Sequence, residues 1–175
     1  MAKKSNKNKY LGYLAIALML AFGVTYIVSS LSVKRPQQKR REKVEVPFTK
    51  HGELQVLSTT GDTIHSFDIE IAEDDYHTQL GLMYRSNMNE NNGMIFIFPD
   101  VQPRSFWMRN TRIGLDIIYA DADGVIVSIA KYAKPFDETS LPSKAPAKYV
   151  FEINSGLSDK LGIKAGDKLV WRKVK

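Results

Sequence analysis

The chain has no cysteine among its 175 residues. That absence excludes a disulfide framework, a thiolate nucleophile, a Cys-ligated zinc site and a cysteine-linked lipid anchor. Histidine is scarce as well, with three residues in all, and His51 and His65 have no spacing that builds a metal site. No Gly-x-Ser-x-Gly or His-Glu-x-x-His stretch occurs, nor any phosphate-cradling glycine loop. The acidic pairs Asp121/Asp123 and Glu73-Asp74-Asp75 read as turn and cap residues, not as a glycosidase dyad. No catalytic residue, cofactor or metal site is therefore assigned. What is present, 43% hydrophobic, 10% aromatic and 25% charged residues without internal repeats, is the make-up of a folded chain.

Charge is unevenly spread. Ten of the 25 Lys/Arg residues and one of the 19 acids lie in residues 1–43, which leaves fifteen bases against eighteen acids beyond them. The net charge of +6 thus belongs to the N-terminal segment, the rest is mildly acidic, and nucleic acid is not an expected partner. From Tyr10 to Val33 every residue is uncharged. As a helix this run reaches about 36 Å, more than the roughly 30 Å of a hydrocarbon core. It reads as a single transmembrane anchor. A cleaved signal peptide ending near Val28-Ser29-Ser30 is the alternative, although its apolar core is normally shorter. Lys3, Lys4, Lys7 and Lys9 precede the run and six bases follow it before residue 44, so a literal count of flanking charge places the domain inside. A tail of nine residues with four lysines resists translocation, however, while long domains cross largely regardless of charge. The expected organisation is a basic cytoplasmic tail over 1–9, an anchor over 10–33, a basic linker over 34–47 and a β-rich globular domain over 48–175. The protein is accordingly expected in the inner membrane, with its domain in the periplasm.

Short β-type runs, rich in branched and aromatic residues, occur at Leu54–Ser58, Ile64–Ala72, Met94–Phe98, Ser105–Arg109, Leu115–Ala120, Val125–Tyr132, Tyr149–Asn154 and Lys168–Val174. Asp121-Ala122-Asp123-Gly124 supplies a hairpin turn between two of them. Helical patterns appear twice, over Asp74–Tyr84 with Tyr76, Leu80 and Met83 on one face, and over Ser155–Leu161 before Gly162. Residues 134–148, with Pro135, Pro142 and Pro146, read as the longest loop. The class is α+β, mostly β, with an antiparallel or mixed sheet and two short helices.

Three stretches in sequence, Gly81-Leu82-Met83-Tyr84-Arg85, Gly93-Met94-Ile95-Phe96-Ile97-Phe98, and Phe106-Trp107-Met108-Arg109-Asn110-Thr111 with Leu115-Asp116-Ile117 after it, are joined by the ending Leu161 to Asp167. In this order and spacing they resemble the bacterial and archaeal domain-of-unknown-function family numbered 192. The resemblance runs over roughly residues 53–172 and departs at Gly114, where a proline is expected before the Leu-Asp pair. It implies a compact, barrel-like fold, commonly exported or membrane-anchored, and implies no established activity.

Asp116 stands in an apolar strand, where a carboxylate needs a partner. It is either a structural hydrogen-bond node or, with Arg85 and Asn110, the floor of a ligand pocket. Alternation puts Trp107 on the strand face opposite Phe106 and Met108, as a stacking platform or interface anchor, or else under the 134–148 loop. The candidate ligand-binding set is Trp107, Arg85, Asn110 and Asp116. The expected function is a non-catalytic binding module for a small molecule, glycan or envelope protein. Two alternatives stand beside it: an enzyme acting on envelope polymers, and a copper-binding protein using Met83, Met88, Met94, Met108 and His77.

Overall fold

The structure, a computed structural model, describes residues 7–30 and 46–174. The chain divides into two compact units, Met1–Glu42 and Lys43–Lys175. The first contains helix α1 (Lys7–Ser30), and the side chains described there, residues 11–27, are all exposed. Among the described residues no helix is long and apolar enough to cross a membrane. Most of the expected tail (1–9) and linker (34–47), and the two ends of the expected anchor (10–33), lie outside the residues whose side chains are described.

The second unit consists of strands β1 (Gly52–Leu57), β2 (Thr63–Ala72), β3 (Asn92–Phe106), β4 (Leu115–Ala120), β5 (Ile126–Ala133), β6 (Leu141–Asn154) and β7 (Lys168–Lys173), with helices α2 (Asp75–Leu80) and α3 (Leu157–Leu161). They form a seven-stranded sheet in the order β5-β4-β6-β3-β2-β1-β7. Only the β2–β3 pair is parallel. The sheet curls until its two edges touch at one corner: Val125 bridges Lys168, Ile126 N–H donates to the Asp167 carbonyl at 2.8 Å, and Leu169 N–H to the Gly124 carbonyl at 2.8 Å. The result is a half-barrel pinned shut at one end.

Both faces of the sheet are covered, which explains why β4 reads as a nearly unbroken apolar run with all six residues buried. Leu54, Phe67, Ile69, Ile95, Ile118 and Phe151 pack on one face with Leu157 and Ile163 from the α3 region. The alternate residues Met94, Phe96, Ile117, Tyr119 and Val150 pack on the other with Leu82 and Met108. That second face carries the functional candidates.

Three expectations are corrected. Met94–Phe98 and Ser105–Arg109 are parts of one strand, β3, that stops at Phe106, and the second half of the expected loop over 134–148 is strand β6. The prolines mislead because Pro103 pairs with Pro146 and Pro142 with Ser105 where the ladder shifts register, and β4 pairs only with residues 149–154 of β6. An irregular ladder without a partner on its far side tolerates residues that lack an N–H. Helix α2 is shorter than the pattern over Asp74–Tyr84. Asp74 caps it by accepting from His77 N–H at 2.8 Å, but Gly81 ends it at φ 49° and none of its residues is buried. Helix α3 ends at Gly162 as its position indicates.

The Asp121–Gly124 turn forms as its residues dictate, with Asp121 Oδ1 accepting from Asp123 and Val125 N–H, both at 2.9 Å. Gly124 sits at φ 80°, and a Cβ there would lie 2.5 Å from the Leu169 carbonyl at the barrel seam. Gly162 has φ 73° but open space around it. Forcing a side chain into the left-handed region costs about 1–3 kcal/mol. In urea titrations Gly162→Ala is expected to lose only that amount and Gly124→Ala more, since it also pushes the seam apart. Equal losses would show that the seam does not constrain this turn.

Candidate functional site

Register sets the floor of the site. Glu70 on β2 lies opposite Met94 on β3, Met94 opposite Glu152 on β6, and Glu152 opposite Ile117 on β4, which makes one row across four strands. Two glutamates thus flank a methionine on a face meant for apolar side chains. The turn after α2 brings Arg85 down onto this row, 4% exposed, with Nη2 2.6 Å from Glu70 Oε2. Glu70 also accepts from Thr49 N–H at 2.9 Å. Glu152 is 4% exposed and, among the described residues, its carboxyl makes no hydrogen bond or ion pair. Burial pushes it up to about 8 from the usual 4.5, against a smaller opposing pull from Arg85. Tyr119 is raised too, chiefly by burial and then by Glu152, and its hydroxyl donates to the Leu141 carbonyl.

Above this row lies a cleft of about 710 Å³. One wall is α2 and its following turn, with Tyr76, Gln79, Met83 and Tyr84; the other is the end of β3 and the segment after it, with Gln102, Phe106, Trp107, Arg109 and Asn110. The walls are tied where Tyr84 N–H donates to the Asn110 carbonyl at 2.9 Å, both residues having positive φ. Trp107 is 47% exposed, with the Arg109 guanidinium 5.4 Å from its ring centre. Arg104 lies over Phe98 at 4.0 Å and is held by the Asp100 side chain and the Ala147 carbonyl. A chamber of about 50 Å³ adjoins the cleft, sharing Thr78, Gln79, Leu80, Met83, Phe106 and Trp107 with it and reaching Glu152.

Of the four residues read from sequence, Trp107 and Asn110 line the cleft. Arg85 is buried against Glu70. Asp116 is elsewhere: fully buried, it accepts from Tyr132 N–H at 2.8 Å, Ser158 N–H at 3.0 Å and Ser158 Oγ at 2.7 Å. It is a node joining β4 to β5 and α3, and its partners are backbone and hydroxyl donors, not Arg85. The 134–148 segment does not border the cleft. It braces the segment after β3 from behind, Asp137 accepting from Met108 N–H and Phe136 N–H donating to the Thr111 carbonyl. Trp107 is therefore not covered by it. Sequence reasoning missed Glu70 and Glu152, although Glu152 carries the same signal as Asp116, an acid inside an apolar strand. The copper set is dispersed: Met94 and Met108 are buried in the sheet-face core, while His77 is on the surface with Nδ1 2.7 Å from Asp74.

Fold and site together define a barrel-like α+β domain with an aromatic cleft over a buried Glu–Arg–Glu row. The chain belongs to the domain-of-unknown-function family 192, described as an uncharacterised conserved family, which matches residues 56–171. It is similar to the crystal structure of a proposed transcription regulator from Sinorhizobium meliloti 1021, at 35% identity and TM-score 0.67, over 73% of this chain and 97% of that one. It is also similar to a protein of unknown function from Novosphingobium aromaticivorans DSM 12444, at 43% identity and TM-score 0.64, over 68% and 84%. No curated protein matches the chain.

Folded Glu152 holds its proton up to about pH 8 whereas an unfolded glutamate releases it near 4.5, so between these values the folded state binds more protons. Its contribution to stability must then fall as pH rises through that window. Melting temperatures of wild type and Glu152→Gln should diverge from pH 4.5 to 8, with the variant gaining, and run parallel above. A difference that is constant with pH would mean that Glu152 is ionised throughout.

Proposed function

We propose that this is a membrane-tethered, extracytoplasmic binding domain whose cleft takes a saccharide unit of an envelope glycan. The observation that carries the reading is Trp107, a half-exposed indole on a cleft wall with planar hydrogen-bonding side chains, Gln79, Gln102, Arg109 and Asn110, around it. An apolar ring face beside directional donors and acceptors suits a ligand with one C–H-rich face and a rim of hydroxyls. Binding is favoured over hydrolysis because, among the described residues, Glu152 is the only carboxyl lining the cleft and its chamber, and glycosidases use two across the scissile bond. The relative's description as a transcription regulator is not carried over, since eighteen acids against fifteen bases beyond residue 43 leave little attraction for phosphates.

Anchoring rests on the uncharged run from Tyr10 to Val33, of which the described part of α1 is by itself not long and apolar enough to cross a membrane. A helix apolar on all sides with every described side chain exposed needs a nonaqueous surrounding. The full chain expressed in a bacterial inner membrane should fractionate there, and protease added to spheroplasts should digest the C-terminal domain. A protected domain would place it in the cytoplasm.

Ligand binding is tested on the full chain in lauryldimethylamine oxide, a detergent without a sugar head group, in a Trp171→Phe background so that Trp107 is the sole fluorophore of its type. Tetrasaccharides of glucose and of N-acetylglucosamine are titrated. A saturable change in Trp107 emission with one of them, and calorimetric affinity lowered at least tenfold by Trp107→Ala, is the expected result. No response to either sugar overturns the saccharide reading.

A further inference from the structure

We infer that the chamber beside Trp107 is a subsite for the exocyclic hydroxymethyl group of the bound sugar, with the Glu152 carboxyl as its hydrogen-bonding partner; this rests on the saccharide reading above. The first support is size. At about 50 Å³ the chamber exceeds the roughly 10–15 Å³ that one water molecule needs but is far smaller than the adjoining cleft. It admits a substituent and excludes a ring. The second is chemistry. Leu80, Leu82, Met83, Phe96 and Phe106 give the chamber an apolar wall, against which a methylene packs, while Glu152 stands at its lining without a partner. A buried polar group left unsatisfied in the protein is satisfied by what enters.

Charge selects the entering group. Glu152 is faced by Arg85 from the turn after α2, by Glu70 from β2 across Met94, and by the Tyr119 hydroxyl from β4. The Arg85 cation is already balanced by Glu70 at 2.6 Å. An added carboxylate would be buried without a counter-charge. A hydroxyl carries no such penalty, and it matches a carboxylic acid as both donor and acceptor.

The test uses the full chain at pH 6.5 in the same detergent. Methyl glucoside and methyl N-acetylglucosaminide are titrated beside their 6-deoxy counterparts, which lack only the exocyclic hydroxyl. Wild type should bind a parent glycoside at least tenfold more tightly than its 6-deoxy form. Glu152→Leu should bind both equally weakly, and Glu152→Gln, which keeps a donor and an acceptor, should retain the preference. Should Glu152→Leu fail to fold, the 6-deoxy comparison on wild type and Glu152→Gln decides alone. Equal affinity of wild type for parent and 6-deoxy sugar, with both lost in Trp107→Ala, overturns the subsite and leaves the saccharide reading standing. Absence of binding by either parent glycoside to wild type removes the reading and the subsite together.

Discussion

The site depends on a charge balance in a buried row. One guanidinium, Arg85, meets two carboxyls, Glu70 and Glu152, on the same face of the sheet. In a desolvated setting one cation supports one anion, and the second carboxyl keeps its proton. Geometry decides which is which. Glu70 has the closer approach of Arg85 and the N–H of Thr49, while Glu152 has neither and is raised. The same pair pins the turn after α2 to the sheet, and that turn is a wall of the cleft. Breaking a buried pair by deleting one partner costs roughly 3–5 kcal/mol, so the wall and the cleft stand or fall with a single arginine.

Asp116 and Glu152 make an instructive pair. Each is an acid in an apolar strand, each is almost wholly buried, and they occupy neighbouring strands with Asp116 opposite Ile153, the residue after Glu152. Asp116 faces α3 and receives three hydrogen bonds; Glu152 faces a chamber and receives none. The one is a rivet and the other is available. Strand alternation separates them: residues one apart in register point to opposite faces, so neighbours in the sheet have unrelated surroundings.

Much of the fold was legible from local chemistry. The strand runs, the Asp-x-Asp-Gly hairpin, the Gly162 stop and the family motifs depend on residues close in sequence. The errors fall where distant pairing decides. Pro142 and Pro146 signal a loop until Pro103 and Ser105 are placed beside them, and Asp116 leaves a node and a pocket both open until Ser158, 42 residues away, supplies its donors. The outward placing of Trp107 was legible because strand alternation is a local pattern. Glu70 was not, because only the parallel pairing of β2 with β3 aligns it with Met94 and Glu152.

Strand β1 pairs along its length with β7, so Gly52 lies opposite Lys173. Partnerships between the opening and closing strands of a domain are slow to establish because a large loop must be closed first. A chain emerging from its amino end, through a ribosome or a translocation pore, cannot complete this sheet until its last residues are free. The topology therefore delays its own closure until β7 has emerged.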